Sequence, residues 1–416
     1  MKKTWLTALI FLTFIAINVI YYRHMPGDDL SSSYIACRLL AGGQGDHLYS
    51  FNAEYFHIID DPAWVDMAQE TSFKGFLHPY VQTPLWAYAL NPLCRAMNFP
   101  AFNLLFLVLN FTAIAGTVWL AAYQWAPSFL SRPALLAGFL AVLSFTTPVY
   151  YTAFLNQTHP LILFATILAV FLASRNQNIL SGLVLAVAAS IKLTPAIIVI
   201  YWLMAGKRRS VVSFLAWWVV LNILTLLIFG AAMSLDYLSN LNRISNVLLV
   251  SYNNQSLAAW LYGNSYNLSE ILNWRIFPLP ATGKILGYGL LGLVIGYSVV
   301  TYRRKTGNSR LLESACVSAL LIASTIFTSI AWNHYYIILA IPLLVLVNYG
   351  LEAKKTWPLI GAGIIILLNA WPLAPYPVTS PLHPFTIIRS QFYSGIICLA
   401  FLFFIGRSSL DAIKQT

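Results

Sequence analysis

Long apolar runs recur along the whole chain, and they constrain its fold more than any other feature. Runs long enough to cross a bilayer occur at about 4–22, 101–122, 133–150, 158–174, 211–229, 284–302, 311–330, 335–350, 357–375 and 389–406. The chain is 59% hydrophobic and 9% charged, whereas a soluble domain is about 25% charged. The bilayer is therefore the solvent that suits this chain, and we predict an all-α polytopic membrane protein.

The segment 178–205 has a different pattern, because a cation and a proline interrupt its apolar sequence. Lys192 and Pro195 divide it into two halves, each short for a full span. Arg175 precedes the segment and the basic block 207–209 follows it, so both flanks are predicted to be cytoplasmic. We therefore predict a hairpin of two short helices, with Lys192 at or near its outward tip.

The segment 80–97 is apolar but contains two prolines and Arg95, so we predict a helix along the outer interface rather than a span. With this segment left out of the count, the chain is predicted to have about twelve membrane helices. Both termini are predicted to lie inside, and the first helix is predicted to stay uncleaved. The whole chain, 1–416, is predicted to be one integral membrane domain. Its two long outer-face loops are expected at 23–100 and 230–283.

The net charge of +11 does not indicate a nucleic-acid partner in this context. Basic blocks such as 206–210 and 302–310 lie between apolar runs. Lys and Arg collect in the cytoplasmic loops of membrane proteins. The positive charge is therefore explained by the cytoplasmic loops of a membrane protein, and no nucleic acid is expected as a partner.

Two adjacent carboxylates, Asp28 and Asp29, follow directly on the first apolar run. Aspartate is a good N-cap, so either residue could cap a short surface helix that begins near Leu30. A partly desolvated carboxylate at the outer end of a membrane helix can instead act as a general base toward a hydroxyl group. The two acids by themselves leave both interpretations open.

Six segments, taken in chain order, resemble motifs of glycosyltransferase family 87, which belongs to the C superfamily of integral membrane glycosyltransferases. They are DLSSSYIACRLLAGG (29–43, followed by Tyr49), YVQTPLW (80–86), LNQTHPLILF (155–164), SGLVLAVAASIKLTPAIIVIYWLMAGKRRS (181–210), YNNQSLAAWL (252–261) and AWNHYYIILAIPLL (331–344). The chain departs from the family pattern at Thr83, where proline is common, at Asn156, which replaces glycine, and at His159, which replaces asparagine.

The resemblance implies a GT-C-like fold and a reaction. Such enzymes move a sugar, mannose by default, from a polyprenyl phosphate to an acceptor hydroxyl on the extracytoplasmic side, with inversion. The implied partners are the polyprenyl-phosphate sugar, a glycolipid or glycan acceptor, and the bilayer of a bacterial inner membrane. No cofactor is expected, and most members need no metal. The chain has no Gly-rich strand-to-helix loop for a nucleotide.

The resemblance also implies roles for individual residues. Asp29 matches the family's first-loop aspartate and is the expected base, with Asp28 as the runner-up. Lys192 and His334 are the expected ligands of the donor phosphate, since cations stabilise the charge that develops on a leaving phosphate. Arg389, with Arg243, is a weaker phosphate candidate.

Other polar side chains are candidates for binding the sugar or the acceptor, because amides and hydroxyls donate to and accept from sugar hydroxyls. They are Tyr34, Gln157, His159, Asn254, Gln255 and Ser256. His78 is expected to face the same cavity. The aromatic residues of the second outer loop, Trp260, Tyr262 and Trp274, are interpreted as interface anchors.

The remaining acids of the first loop, at 46, 60, 61, 66 and 70, are interpreted as a solvated face. A metal site would need two or three of them to converge with a histidine, and we predict none. Cys37 and Cys94 both lie on the predicted outer side, where a disulfide is possible, but the sequence does not settle whether they pair.

Two other functions fit a chain of this kind. A multi-pass transporter or lipid flippase would also tolerate an intramembrane lysine and prolines within apolar runs, and it would form no covalent product. A non-catalytic membrane subunit could present the acidic loop to a partner. The resemblance favours the glycosyltransferase.

Overall fold

The computed structural model describes residues 2–50, 59–71, 73, 75–263, 265–266, 270–271, 274–303, 309–370 and 387–411. Its α-helices are α1 (Lys2–Tyr22), α2 (Asp28–Ala41), α3 (Pro62–Glu70), α4 (Pro84–Ala89), α5 (Asn91–Ala96), α6 (Phe99–Trp125), α7 (Pro127–Leu130), α8 (Pro133–Ser144), α9 (Thr147–Leu155), α10 (His159–Ser174), α11 (Asn178–Ile191), α12 (Ile198–Met204), α13 (Arg208–Ser245), α14 (Leu257–Gly263), α15 (Ala281–Arg303), α16 (Ser309–Ile326), α17 (Ala340–Glu352), α18 (Thr356–Asn369) and α19 (Ser390–Asp411). Short 3₁₀ helices lie at Gly45–His47, Thr194–Ile197 and Asn333–Leu339. The strands β1 (Val247–Val250) and β2 (Arg275–Pro278) pair antiparallel.

The all-α membrane class is confirmed, whereas the count of about twelve spans is not. In the described part of the chain, five helical segments are long and apolar enough to cross a membrane. They are Trp5–Tyr22, Phe99–Trp125, Arg208–Ser245, Ala281–Arg303 and Asn333–Glu352. A sixth is added if α9 and α10, which are bent by 115° at the break between them, count as one span. Several other apolar helices have only 10–17 residues.

The predicted span 133–150 is divided in the structure. Helix α8 ends at Ser144, and α9 begins at Thr147 with Pro148 in its first turn. Proline has no N–H and is tolerated in the first turn of a helix but not in its interior. The proline therefore starts a second helix in the interior of the protein, where most residues of α9 are buried.

The helix break that the sequence predicted within 178–205 is present, and the hairpin arrangement of its two halves remains a prediction. Helix α11 ends at Ile191, and Lys192 has extended backbone angles (φ −148°, ψ 127°). A 3₁₀ turn containing Pro195 then leads into α12. Proline disfavours helical geometry in the residue before it and removes a backbone donor, so the break falls beside Lys192.

The first outer loop forms a compact unit with its own hydrophobic cluster. The predicted interfacial segment 80–97 is two short helices, α4 and α5, which pack against α2. Trp64 and Tyr80 are fully buried in this cluster. Cys37 on α2 and Cys94 on α5 form a disulfide with an S–S distance of 1.98 Å. The pairing that the sequence left open thus joins the helix that carries Asp29 to the rest of the loop.

The second outer loop begins later than predicted. Helix α13 continues past residue 230 to Ser245, with non-helical angles at Gly230 (φ 77°, ψ 175°). Glycine adopts a positive φ without steric cost, so the helix changes direction there. Strands β1 and β2 follow, with Val247 opposite Pro278 and Val250 opposite Arg275. The part of α13 after Gly230 reaches the functional site.

Candidate active site

A cavity of about 790 Å³ lies where the two outer loops meet the helices. Its wall comes from the start of α2, the segment 76–82, the junction of α9 and α10, the hairpin tip at 191–193, the last turns of α13 and the residues before α17. Its polar lining includes Asp28, Asp29, His78, Gln82, Gln157, Thr158, His159, Lys192 and Asn253. The structure therefore brings Asp29 and Lys192, which are far apart in the sequence, to one cavity.

The two aspartates occupy the first turn of α2, and neither caps it. The N-cap is Gly27, whose φ of 68° is left-handed, and no side chain caps the helix. Carboxylates in the first turn are stabilised by the positive end of the helix dipole. The capping interpretation of the acids is therefore wrong, and their carboxylates are available to other partners.

Asp29 is held by two side chains from different parts of the chain. Gln157 Nε2 donates to Asp29 Oδ2 at 2.5 Å, and His78 Nε2 lies 3.5 Å from Asp29 Oδ1. The Asp29 side chain is 16% exposed. These contacts orient the carboxylate at the cavity wall while one face of it stays accessible.

Asp28 lies deeper, under the segment that carries His78. It is 4% exposed, and a Cβ added at Gly75 would lie 2.0 Å from its Oδ1. Burial raises the pKa of Asp28 to about 6, while neighbouring His78 and a hydrogen bond from the Phe76 backbone oppose the rise and Asp29 adds to it. Asp28 is therefore protonated more easily than a free aspartate, whereas Asp29 keeps two polar side-chain partners.

Lys192 lies at the break of the hairpin, against an aromatic ring. Its Nζ is 2.9 Å from the centroid of the Tyr335 ring, a cation–π contact. Within the described ranges, no carboxylate lies within 4.0 Å of the Lys192 ammonium. The Asp29 charge acts on Lys192 from beyond ion-pair distance, so the ammonium can still bind an anion that enters the cavity.

His159 and His334 both contact the Tyr335 ring, but only His159 lines the cavity. His159 lines the cavity, and its ring centroid lies 4.8 Å from that of Tyr335. His334 is 1% exposed, lies 4.6 Å from the Tyr335 ring and is not part of the cavity wall. The structure places half-buried Tyr335 at the cavity wall instead, so it does not support the expectation that His334 contacts the donor phosphate.

The Asn254–Ser256 run does not reach the cavity, contrary to the expected contact with a sugar or acceptor. All three side chains are fully buried. Asn254 Nδ2 donates to Leu249 O at 2.8 Å, Gln255 Nε2 donates to Tyr252 O at 2.8 Å, and Ser256 Oγ donates to Ser329 O at 2.8 Å. These bonds satisfy backbone carbonyls that would otherwise be buried without partners. The Asn254–Ser256 run therefore stabilises the backbone of the second long loop.

Tyr34 and Arg389 also bond to the protein backbone, away from the cavity. The Tyr34 hydroxyl donates to Met97 O at 2.8 Å within the core of the first loop. Arg389 is 3% exposed and donates from Nη1 to Ser251 O at 2.7 Å and to Asn254 O. Neither side chain lines the cavity, and Arg243 does not line it either.

Several lining residues were not singled out from the sequence. Trp274 and Trp332 lie with their ring centroids 5.5 Å apart, and both line the cavity with Asn253 and Tyr237. Trp274 was interpreted as a membrane anchor, and Asn253 directly precedes the run that was chosen. The available signal was the density of aromatic and amide residues in YNNQS and WNHYY, which does not tell which of them point inward.

The fold and the cavity define a multi-pass membrane protein with a carboxylate and a cation at one site. Residues 80–329, more than half of the chain, match the model of glycosyltransferase family 87. The chain belongs to this family and is a membrane glycosyltransferase. No curated protein and no solved structure matches it. Asp28 and Asp29 precede the matched range, so their assignment rests on the geometry and on the motif at 29–43.

Proposed function

We propose that this protein transfers a sugar, mannose in the first instance, from a polyprenyl phosphate to an acceptor hydroxyl on the extracytoplasmic side of a bacterial inner membrane. The observation that carries the proposal is that the Asp29 carboxylate and the Lys192 ammonium line one cavity. An inverting transfer needs a base for the acceptor and a cation for the leaving phosphate.

In the proposed reaction, Asp29 takes the proton of the acceptor hydroxyl. The acceptor oxygen forms a bond to the anomeric carbon as the bond from that carbon to the phosphate oxygen breaks. The polyprenyl phosphate leaves with the electron pair, and a single displacement inverts the anomeric centre. Gln157 and His78 hold the carboxylate in place, which supports a fixed base rather than a mobile surface acid.

Lys192 is the proposed ligand of the donor phosphate, with His159 beside it. The lysine is held over the Tyr335 ring, and no carboxylate of the described residues pairs with it. An unpaired cation next to an apolar medium is costly, and a phosphate would offset that cost. In this arrangement His334 packs against Tyr335 on the side away from the cavity and does not contact the donor.

The position of the hairpin tip supports delivery of the donor from the membrane. Leu193 follows Lys192 directly and is 60% exposed, and Leu241 and Ile244 of α13 line the same cavity. A polyprenyl chain remains in hydrocarbon while its phosphate lies at the polar boundary. We place the tail along these apolar residues and the phosphate at Lys192.

The third part of the wall is proposed to contact a sugar ring. Trp274 and Trp332 present aromatic faces, and Asn253 adds an amide next to them. Aromatic faces pack against the CH groups of sugars while amides bond to hydroxyls. This wall replaces the Asn254–Ser256 run as the proposed sugar or acceptor contact.

The test uses purified protein in lipid nanodiscs with a panel of radiolabelled polyprenyl-phosphate sugars and native membrane lipids as acceptors. Transfer of one label to a lipid or glycan product is expected. Asp29→Asn should lower the rate by about 10²–10⁴-fold, while Asp66→Asn, an exposed acid on α3, should leave it unchanged. Near-normal turnover by Asp29→Asn would remove Asp29 as the base.

Transfer is proposed to proceed without a metal ion. Activity that persists in a chelator would agree with this proposal, and a collapse of activity that added divalent metal restores would contradict it.

Both termini are proposed to be cytoplasmic. The Cys37–Cys94 disulfide supports an oxidising compartment on the side of α2.

A further inference from the structure

Three asparagine side chains form a continuous hydrogen-bonded chain beside the cavity. Asn110 Nδ2 donates to Asn156 Oδ1 at 2.8 Å. Asn156 Nδ2 donates to Asn103 O and to Asn103 Oδ1, both at 2.7 Å. Asn103 Nδ2 donates to Met25 O at 3.0 Å. We call these three side chains the amide relay; it connects α6 with the α9–α10 junction and with the segment before α2.

The middle member and one end of the amide relay adjoin the two segments that meet at the Asp29 carboxylate. Asn156 directly precedes Gln157, which donates to Asp29. Met25 lies two residues before Gly27, whose N–H donates to Phe154 O at 3.0 Å. A Cβ at Gly27 would lie 2.0 Å from Asn103 Oδ1, so only glycine allows the relay to approach the start of α2 this closely.

The backbone at Asn156 explains why this chain can depart from the family's glycine there. Asn156 ends α9 with φ 49° and ψ 45°, in the left-handed region. Glycine and asparagine adopt that region more readily than other residues. The asparagine therefore keeps the turn and adds an amide, which is 1% exposed and needs buried partners. Asn103 and Asn110 supply them.

We propose that Asn103, Asn110 and Asn156 are positioning residues that set the orientation of the Asp29 carboxylate through Gln157 and the first turn of α2. This inference rests on the proposed function for Asp29. The Asn156 amide accepts from Asn110 and donates to Asn103, and it has one favoured arrangement because any other leaves its buried polar atoms unpaired. The amide relay thereby fixes the two segments that meet at Asp29 relative to each other.

Asn156→Gly is the decisive variant, because glycine keeps the left-handed turn and removes only the amide. Sugar transfer is expected to fall by about 10- to 100-fold in kcat, the range of a small misplacement of a catalytic group, with the KM for the polyprenyl-phosphate sugar unchanged. Asn18→Ala serves as the control, since Asn18 is buried and bonds to Ser144 on α8, away from Asp29. Full activity in Asn156→Gly would overturn the inference.

A double variant separates positioning from general stability. Because the amide relay shares the route through Gln157, the loss in the double variant Asn156→Gly/Gln157→Ala should be smaller than the product of the two single losses. Independent losses that multiply would contradict a shared route to Asp29.

Hydrogen exchange gives a readout that does not depend on catalysis. In Asn156→Gly, peptides that cover 25–31 and 154–158 should exchange faster, while peptides of α16 should not change. Unchanged exchange in both segments would overturn the amide relay even if the transfer assay failed. Absence of transfer by the wild-type protein with every donor would instead reject the proposed function, so the two failures are distinguishable.

Discussion

Asp28 and Asp29 are chemically identical neighbours, yet the structure separates them. Successive residues on an α-helix point about 100° apart, so the Asp28 carboxyl packs under Gly75 at the edge of the cavity while the Asp29 carboxylate is more exposed to it. Burial raises the pKa of Asp28 to about 6, while Asp29 accepts from Gln157. The pair therefore divides into a buried acid and an oriented, accessible one.

The raised pKa of Asp28 predicts a pH-dependent stability. Because the pKa is about 6 in the folded protein against 3.8 for the free side chain, the unfolded chain releases this proton at lower pH. The contribution of Asp28 to the free energy of unfolding should fall as pH rises from 4 to 7, by up to about 3 kcal/mol. Asp28→Asn should flatten that fall when unfolding is measured in detergent, and an unchanged pH profile would contradict the burial effect.

The contact between Lys192 and Tyr335 predicts a difference between two substitutions. Tyr335→Phe keeps the aromatic face and should retain donor binding. Tyr335→Leu removes the face, so the KM for the polyprenyl-phosphate sugar should rise by about 3- to 30-fold, the range of a cation–π contact. Steady-state kinetics with a labelled donor measures both variants. Equal loss in the two would assign the role of Tyr335 to its hydroxyl instead.

At the scale of elements, prolines decide where helices end, and only some of these ends can be read from the sequence. The break at Lys192 was predictable, because basic flanks and Pro195 both indicate a hairpin. The division of the predicted span 133–150 at Phe145 was not predictable, because Pro148 could equally have bent a continuous helix. The continuation of α13 beyond Gly230 was missed for a similar reason: a glycine can end a helix or redirect it.

The disulfide between α2 and α5 predicts a stability loss on its removal. Cys37 and Cys94 are fully buried, and their disulfide joins positions 57 residues apart in the sequence. The double variant Cys37→Ala/Cys94→Ala should lower the free energy of unfolding by about 2–5 kcal/mol. Cys316→Ala, which removes a buried thiol outside any disulfide, should cost less. Thermal unfolding in detergent compares the variants, and an equal effect in both would argue against a stabilising disulfide.

At the scale of the whole molecule, one cavity joins segments from residue 28 to residue 335. The helices position the segment at Lys192, the α9–α10 junction and Trp332, while the two long loops supply the aspartates and Trp274. The site therefore depends on the first outer loop and the hairpin tip lying on the same side of the membrane.

This common orientation can be measured by cysteine labelling in intact cells. In a background without Cys316 and Cys398, Asp29→Cys and Lys192→Cys should both react with a membrane-impermeant maleimide added from outside. Lys207→Cys, at the other end of the hairpin, should react only after permeabilisation, because its basic surroundings place it inside. Labelling of positions 29 and 192 from opposite sides would rule out the site.

Run length, charge and proline chemistry act locally, so the amino-acid sequence is enough to predict the membrane class, the helix break beside Lys192 and the acids after the first helix. Which of two neighbours faces the cavity depends on how the chain folds: Tyr335 lines it rather than His334, and Asn253 rather than Asn254. His334 and Tyr335 lie in the 3₁₀ helix Asn333–Leu339, where each residue turns the side-chain direction by about 120°, so one residue of register separates the cavity wall from the core. That register is set by packing between distant segments, which no local pattern records.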